Sequence, residues 1–289
     1  MGAVSRLEQA LMDALAPAEE TRCPPRLAQA LRYACFPGGA RIRPRLCLAV
    51  ASACGEDNSE ISNAAACAIE FLHCASLVHD DLPCFDDAPT RRGKPSLHRA
   101  FDERIAVLTG DALIVLAFET LARNAAGAPK RWAALQMIIS RSVGMPVGIV
   151  AGQAWECESS VDLAEYHRAK TGALFAAATL AGAAAAGADV GQWRVLGERL
   201  GEAYQVADDI RDAVADPDEL GKPTGRDAAL GRPSAVLQLG LIGAARRLES
   251  LVREAVASIP ACPGGADLRA HIQSEAGRLL PKELAQRAA

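Results

Sequence analysis

Apolar positions recur along this chain at intervals of three and four residues, with short breaks, and no run of alternating β-branched residues is long enough to propose a strand. The pattern predicts an all-α protein. The breaks fall at PGGA (37 to 40), DLPCF (81 to 85), PTRRGKPS (89 to 96), AGAPK (126 to 130) and DPDELGKPTGRD (216 to 227), each beside a charged cluster. One helix is predicted from about Asn63 to Asp81, because Pro83 disfavours helix at Leu82. Within it His73, Ser76 and Asp80, spaced by three and four residues, share a face. The stretch from Gly172 to Gly187 is apolar but short and mostly Ala and Gly, which suits a closely packed buried helix better than a membrane span. With no internal repeat and no Ser/Pro/Gly linker, a single domain over residues 1–289 is expected.

Composition narrows the partners. Half of the 289 residues are hydrophobic, and 31 basic against 35 acidic side chains leave a net charge of −4, which offers no field for nucleic acid. The nine cysteines include no CxxC pair and are odd in number, so they are expected to be mostly buried small hydrophobes of a reduced, cytoplasmic protein. No signal peptide or transmembrane segment is predicted, and Arg6 stands where a myristoylation signal wants Ser or Thr.

The candidate chemistry lies in two aspartate clusters: Asp80, Asp81, Asp86 and Asp87 in DDLPCFDD, and Asp208, Asp209 and Asp212 in DDIRD. Asp208 and Asp212, at i and i+4, stack on one helix face and repel by roughly 0.2 to 0.5 kcal/mol. A cation that answers them and prefers hard oxygen ligands is Mg²⁺, held by one or two carboxylates plus substrate phosphates. Two clusters suggest several ions on one polyanion. Acidic residues at a helix C-terminus oppose the macrodipole, which weighs against a merely solvated helix end. The turn at Pro83 is expected to fold Asp86 and Asp87 back towards Asp80.

Basic groups complement them: Arg91, Arg92 and Lys94 after the first cluster, Arg41 and Arg43 after Gly38-Gly39, Lys170 in HRAKTG, Lys222 in LGKPTG and Arg232 in GRPS. The planar fork of Arg matches phosphate, and Lys supplies a compact charge. Thr171 and Gln205 add neutral hydrogen-bonding groups. His73 is a candidate ligand because its stripe leads to Asp80, whereas His79 is read as a packed or capping histidine. No GxGxxG after a strand, Walker A sequence, zinc-ligand spacing or nucleophile elbow is present. What remains is metal-assisted departure of a phosphate-type leaving group.

In order, PGGARIRP, EFLHCASLVHDDLPCFDDAPTRRGKPS, GDALIVLAFE, HRAKTGALF, YQVADDIRD and DELGKPTGRD resemble the trans-isoprenyl diphosphate synthases, or polyprenyl synthetases, over nearly the whole chain. The likeness is greatest to the carotenoid-pathway synthases of phototrophic bacteria, which points to carotenoid or chlorophyll-tail supply. Class I terpene cyclases share the fold but typically lack the paired Arg91-Arg92 and the second DDxxD. The resemblance implies a helical bundle of the isoprenoid-synthase type around a central cavity, a homodimer, and several Mg²⁺ ions. It also implies a catalytic set of Asp80, Asp86, Lys170 and Asp208. Asp80, Asp86 and Asp208 would be the principal metal ligands, with Asp81, Asp87, Asp209 and Asp212 in support. Arg91, Lys170 and Lys222 would hold the allylic diphosphate (dimethylallyl, geranyl or farnesyl), with Thr171 and Gln205 at its reactive end and Arg232 as a further basic residue. Arg43, His73 and Arg92 would hold isopentenyl diphosphate.

Two departures stand out. Ala40 replaces a lysine expected at isopentenyl diphosphate, a loss of roughly 1.5 to 3 kcal/mol unless Arg41 compensates. GRPSAV stands where a Lys-x-Thr-aromatic-Pro pattern is common, which affects Ser234. The resemblance also places the chain-length setting at Ala75 and Ser76. A small residue at position 75, where farnesyl makers often have Tyr, favours the C20 product geranylgeranyl diphosphate. The alternatives are a C15 farnesyl diphosphate synthase and a non-catalytic partner subunit, the latter opposed by retention of both aspartate motifs.

Overall fold

The computed structural model describes residues 3–36, 39–160, 163–214 and 234–277. The elements are α1 (Ala3–Leu15), α2 (Pro25–Cys35), α3 (Ile42–Ala53), α4 (Ser59–Asp80), a two-stranded antiparallel hairpin β1 (Thr90–Arg91) and β2 (Lys94–Pro95), α5 (Leu97–Ala100), α6 (Glu103–Ala125), α7 (Pro129–Val143), α8 (Ile149–Trp155), α9 (Leu163–His167), α10 (Ala173–Ala185), α11 (Arg194–Val214), α12 (Ala235–Ala257) and α13 (Gly265–Ala276). The hairpin is the one departure from the all-helical expectation among the described residues. Its turn places Arg92 at φ 54° and Gly93 at φ 74°, the paired positive φ values of a tight hairpin turn, within a segment read from sequence as a plain loop.

The described residues gather into two compact units, one within Met1–Ser52, Glu56–Ile139 and Ala181–Ala188, the other within Ala53–Gly55, Ser140–Leu180 and Asp189–Ala289. In the first unit α4 is the central element, packed against α6, α1 and α2. It begins at Ser59, four residues before the sequence-based boundary, because the Asn58 side chain accepts from the backbone N–H groups of Glu60 and Ile61. Its end agrees with the pattern: Asp80 is the last helical residue and Asp81 the cap, ahead of Pro83. Ile69, Phe71 and Leu72 are buried to 2% exposure or less, each contributing about 1.5 to 3 kcal/mol of apolar burial. By length and hydropathy α4 and α6 are each sufficient to cross a membrane, but 78% of the apolar window of α4 is buried inside the protein, so it serves as a core helix.

In the second unit α11 packs on α12 through Ala203, Val206, Ala207 and Ile210, the i, i+3, i+4, i+7 stripe of an amphipathic helix. Buried along nearly its whole length, as its Ala-rich composition suggested, α10 divides between the units at Leu180 and Ala181.

Cysteine burial is less uniform than expected. Cys35, Cys47, Cys67 and Cys74 are buried, three others are half-buried, and Cys84 and Cys157 are exposed, because those two sit in turns. Burial pushes the Cys47 thiol up to about 12 and the Cys54 thiol up to about 11.

Candidate functional site

The first acidic motif is a turn closed by its own backbone. The N–H of Asp86 donates to the carbonyl of Asp80 at 3.0 Å, and the N–H of Asp87 to that of Leu82 at 3.1 Å. Asp86 folds back towards Asp80 as expected; Asp87 does not. With φ at 42° it turns outward, where Oδ1 accepts from Arg99 Nη2 at 2.8 Å and lies 3.5 Å from His98 Nε2. The side-chain contacts of Asp87 are thus with Arg99 and His98 of α5, not with Asp80.

Asp81 is buried at 2% exposure, and Arg91 Nε donates to both its carboxylate oxygens, at 3.0 and 3.2 Å. Burial raises the Asp81 carboxyl above its usual range, opposed by Arg91. Arg91 Nη2 also lies 3.9 Å from Asp80 Oδ2. The hairpin that presents Arg91 is pinned to α2 by Tyr33, whose hydroxyl donates to Pro95 O at 2.7 Å.

A basic cluster surrounds His73. Its pKa is driven well below the ordinary 6.5, first by burial and then by the positive charges of Arg43, Arg92, Arg91 and Arg41. Arg43, His73 and Arg92, grouped in the sequence reading, thus share one neighbourhood. The Arg92 guanidinium lies so close to Gly39 that a Cβ there would stand 2.6 Å from Cζ. Ala40 is exposed. Arg41 is not its substitute: it is buried at 5%, donating to Glu70 Oε1 at 2.5 Å, Glu8 Oε1 at 2.9 Å and Cys35 O at 2.6 Å. Arg41, Asp87 and Arg92 all adopt positive φ, costly for residues with a Cβ and concentrated at functional loops. On α4 the stripe of His73, Ser76 and Asp80 is half-buried while Ala75 is buried at 2%. The Ser76 hydroxyl donates to His73 O at 2.8 Å within the helix. His79 packs as expected, its ring over Gly110 and Nε2 3.3 Å from Val107 O.

In the second unit a π-helical turn, Arg168–Gly172, carries Lys170 and Thr171; such turns recur at functional sites because they re-aim consecutive side chains. Lys170 Nζ pairs with Glu156 Oε1, while Thr171 Oγ1 donates to Gln205 Oε1 on α11 at 3.1 Å. Close packing permits this: a Cβ at Gly152 would lie 2.5 Å from Lys170 N, and one at Gly201 would lie 2.9 Å from Gly172 Cα. Asp208 and Asp212 are half-buried and Asp209 is buried. Asp208 Oδ1 accepts from Arg211 Nη2 at 3.2 Å. A cavity of about 680 Å³ in this unit is lined by Arg168, Gln205, Asp209, Ser234 and Arg247 among others. Lys222 and Arg232 lie outside the described residues. Sequence reading missed Glu156; the available signal was an acidic residue in GQAWECE shortly before HRAKTG.

The exposed and half-buried carboxylates offer the hard oxygen donors magnesium prefers. Among the described residues, no group of three or more His, Cys, Asp or Glu side chains is arranged to hold a metal ion.

Comparison with known proteins gives the family. The polyprenyl synthetase sequence profile matches residues 24–263. The chain is 55% identical over 284 residues, 98% of either chain, to a geranylgeranyl diphosphate synthase of Cereibacter sphaeroides, and 52% identical over 275 residues, 95% of either chain, to one of Rhodobacter capsulatus. Among solved structures, a geranyltransferase of Helicobacter pylori complexed with magnesium and isoprenyl diphosphate is similar at a TM-score of 0.78 and 31% identity, covering 96% of this chain and 98% of that one. From these matches, the profile covering most of the chain and the relatives nearly all of it, the chain belongs to the polyprenyl synthetase family.

Proposed function

We propose that this protein is a prenyltransferase that condenses isopentenyl diphosphate with allylic diphosphates to give geranylgeranyl diphosphate. The observation that carries the product assignment is the 55% identity, over 98% of both chains, to a protein of that name. The small, buried Ala75 supports it, since a short side chain leaves room for a longer product.

Asp80, Asp86 and Asp208 are assigned to magnesium, several ions being bound with the allylic diphosphate, and Asp212 supports them. Bound magnesium supplies positive charge to the diphosphate as its carbon–oxygen bond breaks. Arg91 and Lys170 hold the allylic diphosphate, each already positioned by a carboxylate partner, Asp81 and Glu156. Thr171 and Gln205 act as one hydrogen-bonded unit at its reactive end. Arg43, His73 and Arg92 take isopentenyl diphosphate; an anion there opposes the burial and the neighbouring positive charges that hold the His73 pKa down. The same reading takes the enzyme as a cytoplasmic homodimer, with exposed Val107, Leu108 and Val115 of α6 available for a partner.

The test is isopentenyl incorporation with and without Mg²⁺, for the unaltered protein and for Asp80→Ala and Asp208→Ala. Loss of Mg²⁺-dependent turnover in both variants is expected. Intact turnover in either one overturns its assignment, and an unaltered protein without activity indicates a non-catalytic partner subunit.

A further inference from the structure

The three carboxylates of DDIRD sit in unlike surroundings. Asp208 has a side chain 40% exposed and Asp212 is half-buried, but Asp209 is only 5% exposed. Asp209 is also engaged at both oxygens: Oδ1 accepts from Gln205 Nε2 at 3.0 Å, and Oδ2 accepts from the backbone N–H of Ala235, the first residue of α12, at 2.7 Å. Gln205 Oε1 in turn accepts from Thr171 Oγ1 at 3.1 Å.

The direction of this chain follows from donor and acceptor chemistry. An ionised carboxylate only accepts, so the Gln205 amide must turn its NH₂ to Asp209 and its carbonyl to Thr171. The Thr171 hydroxyl must then donate inward, fixing its hydrogen. The spacing of α11 reinforces the register. Gly197, Gly201, Gln205 and Asp209 follow at four-residue intervals along one helix face. A Cβ at Gly197 would stand 2.5 Å from Ala176 Cα, and one at Gly201 2.9 Å from Gly172 Cα. Two glycines thus seat α10 and its preceding π turn against α11, and Asp209 sets the polarity of the hydrogen bonds made there.

We infer that Asp209 is a positioning residue, one that orients the Gln205 amide and through it Thr171 while docking the start of α12, and that it is not a magnesium ligand. The second motif then divides its labour: Asp208 and Asp212 serve the cation, while Asp209, in the wall of the cavity, has both oxygens committed to Gln205 and the start of α12. This rests on the prenyl-transfer reading proposed above.

Asp209→Asn keeps size and shape but supplies an amide that can donate to Gln205 and reverse it. The expected result is a fall in kcat of about tenfold, the scale of one misplaced buried hydrogen bond, with the Mg²⁺ concentration for half-maximal activity unchanged. Calorimetric titration with Mg²⁺ and inorganic pyrophosphate should likewise match the unaltered protein. Asp208→Asn should weaken both. Thr171→Val combined with Asp209→Asn should cost no more in kcat than the worse single variant, because both cut one chain. Gln205→Leu, which leaves Asp209 in place, should reproduce the kcat loss with unaltered Mg²⁺ titration, and it serves if Asp209→Asn does not fold. A weakened Mg²⁺ titration in Asp209→Asn, or additive kcat losses in the double variant, overturns the assignment. If Asp208→Asn leaves the Mg²⁺ titration unchanged, the metal reading of the motif fails instead, while the Thr171–Asp209 coupling still decides the positioning role.

Discussion

Arg41 and Glu70 form a nearly dry ion pair, with Arg41 Nη1 2.5 Å from Glu70 Oε1 and side chains 3% and 2% exposed. The pair ties the start of α3, which carries Arg43 and follows Ala40, to the middle of α4. Arg41→Ala strips the buried Glu70 of its guanidinium partner and should destabilise the protein by about 3 to 5 kcal/mol, whereas Glu70→Ala leaves Arg41 paired with Glu8 and should cost less. Urea unfolding of each variant checks it.

Because Arg41 is held inward, nothing at that residue makes good the lysine absent at Ala40. Ala40→Lys should lower the KM for isopentenyl diphosphate by about ten- to a hundredfold, the size of one charge-assisted contact, with little change in kcat. Steady-state kinetics at saturating allylic substrate measures it; an unchanged or raised KM means the site is already compensated.

Ala75 lies in the buried face of α4, next to the polar stripe of His73, Ser76 and Asp80. Ala75→Tyr should shorten the product from C20 to C15, read by chromatography of the dephosphorylated alcohols. The larger ring will also strain the packing by about 1 to 3 kcal/mol, so its unfolding midpoint should fall.

Titration gives a further outcome. The folded-state pKa of His73 lies well below 6.5, so as pH falls through 6.5 the unfolded chain takes up a proton that the folded chain refuses. Stability tied to His73 is full above that pH and declines below it, by up to about 1.4 kcal/mol per pH unit until the folded pKa is reached. His73→Gln should remove this part of the acid sensitivity in unfolding curves measured on both sides of pH 6.5. Inorganic pyrophosphate should raise the His73 pKa in an NMR titration.

Much of this was legible in the sequence, and the physical reason differs by level. Helical class followed from three- and four-residue apolar spacing, and the end of α4 from Pro83. Its start was missed because Asn58 caps the helix from within a polar stretch that carries no periodicity. The charged residues were visible, but their pairings were not. Asp81 with Arg91, Asp87 with Arg99 and Glu156 with Lys170 are 10, 12 and 14 residues apart. Each pairing depends on a turn, on the left-handed backbone at Asp87, or on the π turn at Lys170. None of these is encoded in a repeat of apolar positions. Arg41, next to the missing lysine in sequence, was a natural compensator until its buried partners were seen.

The central claim is the product. Purified protein incubated with farnesyl diphosphate, isopentenyl diphosphate and Mg²⁺ should yield geranylgeranyl diphosphate, detected as the C20 alcohol after dephosphorylation. Farnesyl diphosphate left unextended, or a C15 end product when shorter primers are supplied, contradicts the account.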